Sequence, residues 1–283
     1  MEQIPLVLVA FGTTRIKRPY DRLLEEISRI FPGHPVYLAL SSRRVRERPG
    51  EKWPGPAELL TTLHAQGCHW AVVQSLHLLA GHEFYRLVQE VQSCPLRTSM
   101  GLPLFWSPAD YLAFAAACKS RLADLRADEA AVLVGHGTDH ASWSTYLALQ
   151  KILLPQFGSR VLVGVLEGYP AEADLIPVLR RQKTARIRLI PLMLVAGVHV
   201  CQDLAGGEDS WQASLEAAGF QVEVEMTGLL SWPEVIDLFA KHLADALDAI
   251  SLNSPMAGRT GQRRSCPKPR ERQNPCGGEP GSP

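Results

Sequence analysis

Two stretches of this chain say nearly the same thing. VLVAFGTTR runs from Val7 to Arg15, and VLVGHGTDH runs from Val132 to His140, aligned without a gap. VYLALSS from Val36 and VLVGVLE from Val161 keep the same offset of 125, and LHLLAGHE from Leu76 matches LMLVAGVH from Leu192 at an offset of 116. A plan written twice implies two similar halves built from one supersecondary arrangement. We place them at residues 1–125 and 126–252, each on the same three-strand plan.

Short β-rich runs at Leu6–Phe11, Val36–Leu40, Ala71–Leu76, Ala131–His136, Val161–Leu166, Arg186–Leu192 and Gln221–Met226 read as strands. Segments of helical period lie between them. Tyr20, Leu23, Leu24, Ile27, Ile30 and Phe31 fall on one helical face, and Tyr146, Leu147, Leu149, Ile152 and Leu153 follow the period more loosely. Strand–helix alternation of this kind predicts an α/β fold: two parallel-sheet βαβ lobes with a cleft between them. The last helix, near Trp232–Ile250, is expected to cross over and pack on the other half. The final stretch, 253–283, is rich in Pro and Gly, carries six basic side chains and has almost no aliphatic ones. It is expected to be a disordered, dispensable tail, because it has little apolar surface to bury.

The 283-residue chain is 46% apolar with a formal net charge of zero, so bulk charge suggests neither a nucleic-acid nor a membrane partner. No apolar run approaches the ~20 residues of a membrane span. The first residues lack a basic leader and pass directly into a strand, and the six cysteines form no CxxC pair; both point to a cytoplasmic protein. Oligomeric state stays open, a homo-oligomer included. The GxxxxGK[ST], GxGxxG and GxSxG patterns are all absent, which weighs against nucleotide-binding and hydrolase readings.

What differs between the copies carries the chemistry. In open parallel sheets ligands sit beyond the carboxyl ends of the strands. The second half places His136, Glu167 and His199 at three such ends, where the first half has Phe11, Ser42 and Glu83. Imidazoles with a carboxylate suit a divalent transition metal and leave coordination positions open. The same groups suit proton removal. Each has a plainer reading: a histidine that satisfies a structural hydrogen bond, or a Glu167 that only caps the next helix. Three coincident strand ends favour a shared site. His140 imitates a helical metal pair with His136, but Gly137 and Thr138 signal a turn, so we expect it to support the site or face solvent. Cys201 is expected to be a packed thiol. His77 is expected in the core, and His82 beside Glu83 near the cleft.

Two first-half loops at the same end of the sheet are strongly basic. Arg15, Lys17 and Arg18 follow the first strand, and Arg43, Arg44, Arg46 and Arg48 follow the second. Such runs are often only solvated loops. Arginine nevertheless suits bidentate capture of carboxylate or phosphate, so an anionic ligand is the expectation.

VGHGTDH, LEGYP and PLMLVAGVHVCQDLAGGEDSW, with AFGTT, LSSRR and LHLLAGHEFYRL in the first half, closely resemble the signature segments of the anaerobic-pathway sirohydrochlorin cobaltochelatases, the CbiK type of class II chelatases. The resemblance covers about residues 5–250. It implies the duplicated chelatase-like fold and insertion of Co²⁺, as substrate metal, into sirohydrochlorin during cobalamin synthesis, with no prosthetic group. It assigns metal binding and catalysis to His136, Glu167 and His199. Glu83 falls on the family's first-half acidic position. Arg15, Arg43, Arg44 and Glu83 then become candidates for binding the macrocycle and its eight carboxylates. Insertion of Fe²⁺ or Ni²⁺ into the same ring, or non-catalytic carriage of ring or metal, are the competing readings. The sequence departs from the family at Val198, where an acidic residue is usual, and at Gln202-Asp203, where the family has Asn-Asp. These changes bear on the groups around His199.

Overall fold

Leu6 to Ala10 have less than 2% of their surface exposed, and the alternation of their side chains shows why: Leu6, Leu8 and Ala10 enter one apolar cluster, Val7 and Val9 another. A strand buried on both faces needs helices on both sides of its sheet, which is the parallel α/β solution. The computed structural model describes residues 3–13, 20–47 and 53–253. The expectations on Arg15, Lys17, Arg18 and Arg48, and on the tail beyond residue 253, lie outside the described residues.

The chain runs β1 (Leu6–Ala10), α1 (Asp21–Ile30), β2 (Val36–Leu40), α2 (Arg43–Arg46), α3 (Pro56–Ala65), β3 (Trp70–Ser75), α4 (His82–Gln92), β4 (Arg97–Gly101) and α5 (Pro108–Arg121). It continues with β5 (Glu129–Gly137), α6 (Ser144–Phe157), β6 (Val161–Glu167), α7 (Glu172–Arg181), β7 (Arg186–Pro191), α8 (Trp211–Ala217), β8 (Gln221–Val224) and α9 (Pro233–Asn253). Short 3₁₀ turns at Ala141–Trp143, Gly158–Arg160 and Leu229–Ser231 and a π turn at Val200–Leu204 complete it. The two four-stranded sheets have the orders β2-β1-β3-β4 and β6-β5-β7-β8, parallel throughout. Each half therefore has four strands rather than the three the repeat displayed. The unread strand is β4, RTSMG. It lies at a sheet edge with only Gly101 buried, so it carries neither an apolar run nor an apolar alternation.

The second sheet repeats the burial logic. Ala131 and Leu133 join the cluster that holds Leu6 and Leu8, whereas Ala130, Val132 and Val134 face a separate cluster with Leu175, Leu189 and Trp211. One core is thus shared between the sheets, and each sheet covers its other face with its own helices. α9 is central to the shared core. Trp232, just before it, stacks on Phe114 of α5 with ring centroids 5.6 Å apart. His242, on α9, donates from Nδ1 to the Leu102 carbonyl at 3.0 Å and places Nε2 3.1 Å from Asp110 Oδ1. The last helix of the second half is thereby fastened to the first. Residues Met1–Leu252 form one compact unit.

Asp110 is buried and does two jobs. Its Oδ2 accepts from the Ser107 N–H at 2.7 Å and from the Ser107 hydroxyl at 2.8 Å, capping α5. Burial opposes its charge, but the Ser107 N–H, the His242 imidazole and the Ser107 hydroxyl together outweigh that and hold the carboxyl below its ordinary range.

Candidate metal site at the carboxyl ends of the second sheet

Strand order decides which loop residues meet. From β5 the chain moves to β6 on one side, then crosses back to β7 on the other. The loops after β5 and β7 therefore leave toward opposite faces, and a crevice opens between the two strand ends. His136 is the penultimate residue of β5, and His199 stands in the loop beyond β7. Their rings meet there, centroids 4.5 Å apart and planes at 85°. Both side chains are exposed, so they are available to a ligand.

Small residues make the His136 end possible. Gly137 has φ +93°, and a Cβ on it would run into the Glu167 carbonyl of the paired strand. A Cβ on Gly135 would strike the Tyr146 ring of α6. With both glycines in place, Tyr146 packs beneath the strand end and its hydroxyl accepts the Gly137 N–H at 3.2 Å. Burial pushes the Tyr146 phenol up, while that hydrogen bond pulls it partly back. His136 is thus presented on a braced strand end, not on a loose loop.

His199 is held differently. The turn that follows it is wider than an α-helix, with the Ala205 N–H reaching the Val200 carbonyl at 3.2 Å, and Val200 and Leu204 are both fully buried. Such π turns recur at functional sites. This one brings Asp203 Oδ2 to 2.7 Å from His199 Nδ1.

Glu167 ends β6 on the far side of β5. Its register partner is Gly137, one residue beyond His136, and successive strand positions project to opposite faces. Among the described residues no three His, Cys, Asp or Glu side chains converge closely enough to hold a metal ion. The close pair is His136 with His199, and Glu167 is an exposed carboxylate at the end of the adjacent strand β6. It does not cap the next helix: the Asp174 carboxylate accepts the Ala171 N–H at 2.8 Å at the start of α7.

The loops of the first sheet come up to this end. A Cβ on Gly197 would lie 3.1 Å from Thr13 Oγ1, which brings the His199 loop against the end of β1. His82 donates from Nε2 to Asp139 at 2.9 Å, and its ring meets His140 edge-on at 4.9 Å. Tyr85 approaches the same imidazole at 5.5 Å. His140 Nδ1 accepts the Ser142 N–H at 3.1 Å, so its neutral form carries the proton on Nε2 and has no lone pair left for an ion. Its mimicry of a helical metal pair ends there. Glu83, in the first turn of α4, is half-buried and paired with Arg86 at 2.9 Å. Arg43 and Arg44 of α2 are exposed, with Arg43 bridged to Glu47 at 2.6 Å. Phe11, Trp143 and Tyr169 in the segments beyond the strand ends, and Tyr85 in the first turn of α4, expose large aromatic surfaces, and Trp143 and Tyr169 approach each other at 6.3 Å. His77, partly buried two residues past β3, sets its Nδ1 2.9 Å from Ser75 Oγ, and desolvation pushes it down to about 4.

Sequence reasoning did not single out Asp203 or Asp139 as partners. The signal for Asp203 was its spacing of four from His199, which falls on one face only if the loop turns helically. Asp139 carried no signal, because its partner lies in the other half of the chain.

The family model for cobalt chelatase (CbiK) matches residues 5–248. The sirohydrochlorin cobaltochelatase of Salmonella typhimurium is 33% identical over 255 residues, 86% of this chain and 96% of that protein. CbiKC of Nitratidesulfovibrio vulgaris, also named sirohydrochlorin cobaltochelatase, is 30% identical over 257 residues, 87% of this chain and 91% of that protein. Among solved structures, SirB from Bacillus subtilis with Fe³⁺ superposes with a TM-score of 0.63 at 15% identity, covering 88% of this chain and 98% of SirB, which shows a shared fold. With the match running from before β1 into α9 and spanning both histidines, the chain belongs to the cobalt chelatase (CbiK) family.

Proposed function

We propose that this protein inserts Co²⁺ into sirohydrochlorin, holding the ion between His136 and His199. The observation that carries the reading is the ring-to-ring approach of those two exposed imidazoles at the β5/β7 crevice. Two nitrogen ligands bind a Co²⁺ ion without enclosing it, so it can be handed on. As the macrocycle approaches, each imidazole is exchanged for a ring nitrogen. Two ring N–H protons leave as the metal enters, which balances charge. Glu167, exposed at the end of the adjacent strand β6, adds negative charge at this end of the sheet and accepts one of the two protons, the other passing to solvent.

The exposed guanidinium of Arg44, with Arg43 and Arg15, supplies partners for the carboxylates of the macrocycle. Glu83, tied to Arg86, stands at the position equivalent to His199 in the first lobe and contacts the macrocycle from that side. The exposed aromatic rings offer flat apolar faces to a flat ligand. The setting we assign is the cytoplasm, in keeping with the free thiols of Cys68, Cys94, Cys118 and Cys201. Among the described residues no helix is long and apolar enough to cross a membrane.

The test is optical. Purified protein, sirohydrochlorin and Co²⁺ are mixed, and the change in the visible spectrum on metallation is followed against the protein-free rate. Acceleration by the wild type, lost in His136→Ala and His199→Ala, is the expected result. Wild-type rates in both variants would overturn the assignment of the histidines, and no acceleration at all would overturn the activity.

A further inference from the structure

We propose that Asp203 is a positioning residue: it fixes His199 in the tautomer that offers Nε2 to the metal and holds that ring perpendicular to His136. This rests on the reading of His199 as a ligand and adds what makes it one. The Oδ2 to Nδ1 distance is 2.7 Å. An ionised carboxylate only accepts hydrogen bonds, so Nδ1 carries the hydrogen and the lone pair is left on Nε2. His199 is half exposed and needs such a partner. An imidazole with so much free surface samples several rotamers and both tautomers unless a second group orients it.

The backbone is built to supply that group. Val200 and Leu204 anchor the π turn in the core below the second sheet, and the turn cannot shift without exposing them. Asp203 is thereby carried on a rigid element beside His199 rather than on a mobile tip. The neighbouring His140 shows the contrary arrangement. Its Nδ1 is spent on the Ser142 N–H, which leaves the proton on Nε2 and no donor atom for an ion. Two imidazoles within one site region are thus set in opposite tautomers, one by a carboxylate and one by a backbone amide. Carboxylates that receive the second ring proton of a metal-binding histidine change metal affinity or activity by about ten- to a hundredfold when removed. An exposed pair four residues apart with only a structural role would leave metal binding unchanged.

The experiment measures Co²⁺ binding to the full-length protein without the macrocycle, by calorimetry, in the wild type, Asp203→Ala, Asp203→Asn, His199→Ala and the Asp203→Ala/His199→Ala double variant. Asp203→Ala should weaken Co²⁺ binding about ten- to a hundredfold while leaving the thermal midpoint and the binding of metal-free sirohydrochlorin as in the wild type. Asp203→Asn, which keeps an acceptor at the same reach, should recover part of the loss. In the His199→Ala background Asp203→Ala should cost nothing more. Nitrogen NMR of metal-free protein should find the Nδ1–H tautomer of His199 in the wild type and a mixture in Asp203→Ala. Wild-type Co²⁺ affinity in Asp203→Ala, or an equal loss on both backgrounds, overturns the positioning role while His199 remains a ligand. Wild-type affinity in His199→Ala overturns the ligand assignment, and the positioning role with it.

Discussion

His136 and His199 lie 63 positions apart in the chain, yet their rings stand edge to face at 4.5 Å. The pairing follows from one topological fact: β7 returns to the side of β5 away from β6, so the loops leaving β5 and β7 flank one crevice. The first sheet has the same order, but Phe11 and Glu83 stand at its matching positions. Duplication supplied two crevices, and divergence put the imidazole pair in one of them.

Because both histidines are exposed, they should contribute little to folding. His136→Ala and His199→Ala are expected to change the free energy of unfolding by no more than ~0.5 kcal/mol while abolishing metal insertion. Urea denaturation alongside the spectral assay checks the two halves of this statement. A large loss of stability in either variant would mean that the ring is part of the packing.

Gly137 should be indispensable where other glycines of positive φ are not. Gly137→Ala combines the unfavourable φ with a collision against the Glu167 carbonyl. It should cost at least ~2 kcal/mol and displace His136, which Co²⁺ titration would register. Gly67→Ala has a similar φ of +89° but open space around the new methyl, so it should cost ~1 kcal/mol and leave metal binding intact.

Asp110 should make the protein sensitive to strong acid. Its carboxyl is held below the ordinary value of 3.8 in the folded chain, so its stabilising contribution is complete above that pH. The contribution is lost as pH falls through the lower folded-state value. Asp110→Asn is expected to lower stability near neutrality by ~3 kcal/mol, since it leaves His242 and the Ser107 N–H poorly matched, and to flatten the acid limb below pH 4. Denaturant unfolding at several pH values measures both effects.

His77 acts in a higher window and by the opposite route. Burial lowers it from 6.5 to about 4, so between those values the unfolded chain binds a proton that the folded chain refuses. Stability should therefore fall as pH drops from 6.5 toward 4, by up to ~3 kcal/mol, and show no dependence on this group above 6.5. In His77→Gln that slope should shrink. An unchanged slope would assign the proton uptake elsewhere.

The sequence by itself determined the duplicated α/β plan and seven of the eight strands, because strands buried on both faces must be largely apolar and the exposed edge strand β8 still alternates, with Val222 and Val224 turned to the core. It also determined that imidazoles stand at two strand ends of the second half. β4 escaped because an edge strand answers to fewer neighbours and RTSMG carries no apolar pattern. The tertiary structure alone decided which strand ends adjoin. It set His136 beside His199 and put Glu167 across β5, a consequence of strand order that local sequence does not encode. It alone decided that α9 locks to α5 through His242 and Asp110, and that a π turn brings Asp203 under His199. Periodicity reports which face of an element is buried. It is silent on which other element does the burying, because apolar contact is not directional, and the polar contacts that fix the site form only after that packing is complete.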